Sequence, residues 1–255
     1  MTSFGRRQWL LGSASLGFAS ALGLSAREAS AFGEQGAFHA RVLQVGAGED
    51  LAATRSAAGR WAFEVVERTS APGRLSAEVV NVESSALLRE PFVVWAGTRD
   101  PGPLSSAAIR RLREYLQLGG VVFVDDRAPT SGVFRAAVKR EMARVLPEGA
   151  PVPLGAGHVL FKSYYILERP YGRVEGPATI QAIVRGKNAQ VIFFEHDLLG
   201  ALERRGQNWA HEVQPGGSRQ RELALRMAVN VAMYVLCSDY KDDQVHAPFL
   251  MRRRL

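Results

Sequence analysis

Phe92-Val93-Val94-Trp95-Ala96, then Ser105-Ser106-Ala107-Ala108-Ile109-Arg110-Arg111-Leu112-Arg113-Glu114-Tyr115-Leu116-Gln117-Leu118-Gly119-Gly120, then Val121-Val122-Phe123-Val124: this stretch decides the fold. Its first and last segments are unbroken runs of β-branched and aromatic residues, the pattern of strands covered on both faces. The middle segment has apolar residues at helical spacing (Ile109, Leu112, Tyr115, Leu116), a serine at residue 105 placed to cap it, and Gly119-Gly120 to stop it. A strand, a helix of 105–118 and a second strand in that order predict a βαβ unit.

Working outward, the same alternation recurs. Residues 38–45 and 77–82 read as strands, and residues 51–68 read as an Ala-rich helix. A helix is expected over 134–146, ended by Pro147. Beyond it the chain turns irregular and aromatic until strands at 179–184 and 190–194, joined through Arg185-Gly186-Lys187-Asn188 as a hairpin turn. Residues 199–218 read as a long glycine-containing loop, of the kind that is functional or mobile. A final helix is expected over 219–236. Alternating strands and helices predict an α/β domain on a mostly parallel, layered sheet.

The start of the chain has a different character. Arg6-Arg7 precedes a mildly apolar run rich in Ala, Gly and Ser, followed by Ala29-Ser30-Ala31. A charged start, a short apolar run and a small-residue cleavage pattern define a secretory signal, and the arginine pair points to the twin-arginine route. The expected organisation is a signal at 1–31 with cleavage after Ala31, one α/β domain at 32–238 and a basic tail at 239–255. The expected location is periplasmic or otherwise extracytoplasmic, with no transmembrane span in the mature chain.

Hydrophobic content of 47% and charged content of 22% suit a globular protein. The formal charge of +7 is scattered rather than gathered with aromatics along one stretch, so nucleic acid is not an expected partner. The expected partner is a small molecule or a protein of the cell envelope. A single cysteine, Cys237, rules out an internal disulfide and reads as a small buried hydrophobe.

In open α/β sheets, ligands bind beyond the carboxyl ends of the strands. Four stretches end strands here: Gly46-Ala47-Gly48-Glu49-Asp50, Gly97-Thr98-Arg99-Asp100, Asp125-Asp126-Arg127 and Glu195-His196-Asp197. They cluster if the strand at 190–194 runs parallel to the others. The catalytic candidates are Asp125, Asp126, His158, His196 and Asp197, as general base or metal ligand. Set against them are the commoner uses of such residues, a turn-capping Asp or a hydrogen-bonded structural His. Neighbouring residues on a strand point to opposite faces, so Asp125 and Asp126 are not expected to form a carboxylate dyad. Gly97, Thr98, Arg127, Tyr164 and Trp209 are the ligand-binding candidates. No cofactor is expected. A divalent metal on His and Asp side chains stays open, although no HxH, HExxH or CxxC spacing occurs.

Five blocks resemble one family. They are residues 116–126 (LQLGGVVFVDD), 158–165 (HVLFKSYY), 194–198 (FEHDL), 226–230 (RMAVN) and 240–249 (YKDDQVHAPF). Together they look like the bacterial family called domain of unknown function 4159. That resemblance implies a flavodoxin-like, class I glutamine-amidotransferase-like fold: a three-layer α/β/α sandwich. It implies no established activity. Amidotransferases place a nucleophilic cysteine at a strand-to-helix elbow, where this chain has Asp125-Asp126-Arg127, so that chemistry is not expected. Where the family usually has Asn before Asp in the last-strand block, this chain has His196. Two functional readings follow. The first is a non-catalytic ligand-binding or interaction module of the cell envelope; the second is a hydrolase using strand-end carboxylates and histidines, with or without a metal.

Overall fold

The βαβ unit forms as read. In the computed structural model, β1 (Arg41–Gln44), α1 (Leu51–Arg68), β2 (Val79–Asn81), β3 (Phe92–Gly97), α2 (Ser106–Gln117), β4 (Val121–Asp126) and α3 (Val133–Val145) follow in order. The Ser105 hydroxyl accepts the Ala108 N–H at 3.0 Å and caps α2. Next come β5 (Val152–Leu154), β6 (Ile180–Arg185), β7 (Asn188–Phe194), α4 (Leu198–Leu202), β8 (Arg204–Arg205), β9 (Asn208–Trp209) and α5 (Gly217–Met251). The structure describes residues 36–46 and 51–251, with side chains to residue 237. The expected signal (1–31, with Arg6, Arg7 and Ala31), residues 47–50 and the side chains of 239–255 lie outside the described residues.

Seven strands form one sheet in the order β2-β1-β3-β4-β7-β6-β5. From β2 to β7 all pairings are parallel, and β6 pairs antiparallel with both of its neighbours. The β6–β7 hairpin closes on Gly186 and Lys187, with φ of 62° at the glycine. Alternate residues of β3 enter different cores. Phe92, Val94 and Ala96 join α1, α4 and α5 on one face, while Val93 and Trp95 join α2 and α3 on the other. The protein is therefore a three-layer α/β/α sandwich, and the central strands are mostly apolar, Val121–Val124 and Val191–Phe194 without a break, because both of their faces are covered.

The first face centres on Trp61, whose ring meets Phe38, Phe92 and Phe123 and whose indole N–H donates to Ala228 O of α5 at 2.7 Å. Two expectations change. Residues 199–218 are not one long loop: α4 and the β8–β9 hairpin occupy most of the segment to Trp209, α5 begins at Gly217, and residues 210–216 between them lie outside helices and strands. Five buried residues, Leu198–Leu202, leave no polar face to reveal a helical period. Cys237 is exposed rather than buried, since it stands two residues, about 200° around α5, from buried Val235. Among the described residues, no helix is long and apolar enough to cross a membrane.

Candidate functional site

Because β7 pairs parallel with β4, the strand ends at Asp125 and Glu195 meet at one rim of the sheet, beside Gly97. Asp125 and Asp126 end adjacent positions of β4, so they face different layers. On the α1/α4/α5 side, Asp125 is fully buried. The Leu198 and Leu199 N–H groups donate to its Oδ1 and Oδ2 at 2.9 and 2.8 Å. Both oxygens cap the first turn of α4, where unpaired amides gather. Burial first, and then the charge of Asp197, raises the Asp125 carboxyl above the ordinary carboxylate range.

Asp197 is the N-cap of α4 and sits at φ 53°, ψ 69°, a left-handed conformation uncommon outside glycine. Its Oδ1 accepts the Gly200 N–H at 2.8 Å, and Arg173 donates to its Oδ2. Arg127 Nε lies 3.5 Å from Asp197 Oδ1, and its Nη2 donates to Glu203, which also meets His211 Nε2 at 3.1 Å. Burial alone would raise the Glu203 carboxyl, but Arg127 and His211 hold it below its usual range. Asp125, Asp197, Arg127, Arg173 and Glu203 thus form a closed network that fastens α4 to the sheet.

On the α2/α3 side, Asp126 Oδ1 accepts the Ala128 N–H at 3.1 Å, forming a turn. Its Oδ2 is buried without a hydrogen bond among the described residues, 3.7 Å from Arg135 Nη1. The same guanidinium pairs with Glu195 at 2.8 Å, and Lys139 Nζ lies 3.7 Å from Glu195. Burial raises the Asp126 carboxyl and lowers the Lys139 amine. Gly97 stands opposite Asp126 in register, its carbonyl accepting the Arg127 N–H, and Thr98 is exposed beyond it.

The remaining candidates do not join this rim. His158 Nδ1 accepts the Leu160 N–H and its ring packs on Tyr234. The Tyr234 hydroxyl accepts the Ala189 N–H at the start of β7. Seven residues of extended chain, about 23 Å, separate Ala189 from His196. Tyr164 donates its hydroxyl to Arg68 O at the end of α1, and Asn230 Oδ1 accepts the N–H groups of Tyr164 and Tyr165. Tyr164 is an anchor at the amino ends of the strands. Trp209 lies against the outer helix layer among Arg60, Arg204 and Arg221.

His196 is at the rim but sealed. Its Nε2 is 3.0 Å from Pro177 O, which only accepts, so that nitrogen carries the proton. Its Nδ1 is buried without a partner among the described residues. Burial lowers its pKa to about 4. A Cβ at Gly172 would stand 2.2 Å from His196 O, so only glycine lets the covering segment approach this closely.

The five candidates for general base or metal ligand, Asp125, Asp126, His158, His196 and Asp197, therefore do not converge on one point. Among the described residues, one group of three metal-capable side chains comes together: His39, Glu78 and Glu90, with ligand atoms within 4.8 Å of one another. These residues precede β1, β2 and β3, so strand order alone makes them neighbours. Glu90 already meets His39 Nδ1 at 2.7 Å, Arg74 at 2.9 Å and Arg41 Nε at 3.7 Å. Two guanidiniums fill the role that a cation would take there. Sequence reading missed this cluster, and also Arg173 and Glu203, because each is tied to its partners by the fold rather than by spacing.

A sequence profile of the family described as "Domain of unknown function (DUF4159)" matches residues 40–236. A search among curated proteins gives no match. The matched stretch covers every strand of the sheet, the network that fastens α4, and Asn230 with the tyrosine segment it holds. The chain belongs to the DUF4159 family.

Proposed function

We propose that this protein is an exported, non-catalytic ligand-binding or interaction module of the cell envelope. The observation that carries the reading is the commitment of Asp125: both oxygens accept backbone N–H groups, and no part of the side chain is open to a substrate. A general base must reach the proton it abstracts, and Asp125 is spent on structure. Asp197, Arg127 and Glu203 are likewise paired with one another or with neighbours. Export rests on Arg6-Arg7 and the Ala29-Ser30-Ala31 pattern. Two experiments test the reading. Replacing Arg6 and Arg7 together by lysine is expected to keep the protein in the cytoplasmic fraction; unchanged export would remove the twin-arginine part. Assays of the purified protein against ester, amide, phosphoester and glycoside substrates are expected to show no turnover.

One observation favours a hydrolase instead. Asp126 Oδ2 is buried without a hydrogen bond among the described residues, and Arg135 links it to Glu195. A carboxyl raised by burial beside a second carboxylate has the form of an acid–base pair. Turnover that is lost in Asp126→Asn, with unfolding unchanged, would establish this second reading and end the first.

A further inference from the structure

We propose that the groove between α1 and the β8–β9 hairpin binds a small molecule carrying at least two oxyanion groups, phosphate or carboxylate. The groove has a cavity of about 690 Å³, within the roughly 300–1,000 Å³ of small-molecule sites. Arg55 and Arg60 of α1 line one wall and Arg204 lines the other, with Ser56 and Ser76 between them and, among the described residues, no acidic side chain in the lining. The groove is built on a close approach of backbones. A Cβ at Gly59 would stand 2.6 Å from Leu75 O, so a glycine is kept in mid-helix despite a cost of about 1 kcal/mol.

Two of the three arginines, Arg60 and Arg204, lie against aromatic rings. Arg60 lies 4.3 Å over Phe63 and 5.5 Å from the Trp209 ring. Arg204 and Arg221 lie 4.6 and 4.4 Å from that same indole. Arg55 Nε donates to Ala77 O at 3.3 Å and Arg204 donates to Gln207 O; among the described residues neither has a carboxylate partner. Only Arg60 has one, Glu64, which Arg68 shares. A guanidinium has five N–H donors in a planar fork, so most of those on Arg55 and Arg204 remain for a ligand. Cations gathered around one ring repel one another, and burial followed by the charge of Arg204 lowers the Arg221 pKa. An oxyanion relieves that repulsion and accepts paired N–H bonds from the forks. Contact with Phe63 and Trp209 restrains the forks of Arg60 and Arg204 beforehand, which reduces the ordering cost of binding.

This inference rests on the ligand-binding reading and gives it a place and a ligand class. Calorimetric titration of the full chain at low ionic strength with inorganic pyrophosphate and with citrate tests it. Submillimolar binding of at least one anion is expected. Arg55→Gln and Arg204→Gln should each weaken it about tenfold with unfolding unchanged, while Arg111→Gln, remote on α2, should leave it intact. Absence of binding below about 10 mM overturns the proposal. So does equal weakening by Arg111→Gln, which would mark binding by overall charge. Binding only to vesicles of anionic phospholipid, with neither soluble anion bound, also overturns it. None of these failures bears on the non-catalytic reading, which falls only to turnover.

Discussion

At the carboxyl ends of the strands, Asp125 gives both oxygens to the amides of Leu198 and Leu199, and Asp197 gives one to Gly200. At the amino ends the polarity is reversed. Arg41, 1% exposed, donates to the carbonyls of Ala86, Leu87 and Glu90 around the 3₁₀ turn Ser85–Arg89. Arg113 donates to Val145 O and Arg144 O at the end of α3, and Arg185 donates to Gln117 O at the end of α2. The arrangement follows from the parallel sheet. Every helix returning between parallel strands presents its N–H end to one rim and its C=O end to the other. Carboxylates are stabilised where amides point and guanidiniums where carbonyls point. A carboxylate at the end of a strand is therefore as much a helix fastener as a catalyst, and at this rim fastening accounts for Asp125 and Asp197.

The comparison can be broken most sharply at Arg41. Arg41→Ala leaves the carbonyls of Ala86, Leu87 and Glu90 without their donor and empties the place of a buried side chain, and should cost about 3–5 kcal/mol in urea unfolding. Lysine should restore only part of this, lacking the fork. Asp125→Ala unpairs two buried amides and should cost about 3 kcal/mol; a loss under about 1 kcal/mol would show that α4 does not depend on the carboxylate. Next comes pH. The folded pKa of His196, depressed to about 4 from 6.5, means that the unfolded chain binds the proton more readily. Its contribution is therefore present above pH 6.5 and lost as pH falls toward 4, about 3 kcal/mol across the window. The raised carboxyls of Asp125 and Asp126 act in the opposite sense, gaining stability as pH falls, so the variant must be compared with wild type. His196→Asn, the residue that the resemblance places there, should remove the histidine slope alone; an unchanged pH profile would sink the assignment. Smallest of all, Arg111→Ala breaks a solvated pair with Glu114 and should change stability by under about 0.5 kcal/mol.

Much of this architecture was legible. The runs at Phe92–Gly97 and Val121–Asp126 and the stripe of α2 are local patterns, and local patterns survive folding. The meeting of the Asp125 and Glu195 strand ends was legible as a condition on strand direction, which the β4–β7 pairing meets. The histidines were not: His158 and His196 look alike in sequence but lie at opposite ends of β7. The basic charge read as scattered because Arg55, Arg60, Arg204 and Arg221 are distant in the chain, and only the packing of the β8–β9 hairpin on α1 gathers three of them in one groove. The short helix α4 escaped notice because its five residues are buried all round.

By itself, then, the sequence determined the alternation of strands and helices, the double-faced burial of β3 and β4, and the separation of Asp125 from Asp126, since periods of 3.6 and 2 are written residue by residue. Tertiary structure alone decided that Asp125 fastens α4, that His39, Glu78 and Glu90 are neighbours, and that three arginines surround Trp209. Those are contacts between segments far apart in the chain, set by strand order and helix packing, and no local spacing encodes them.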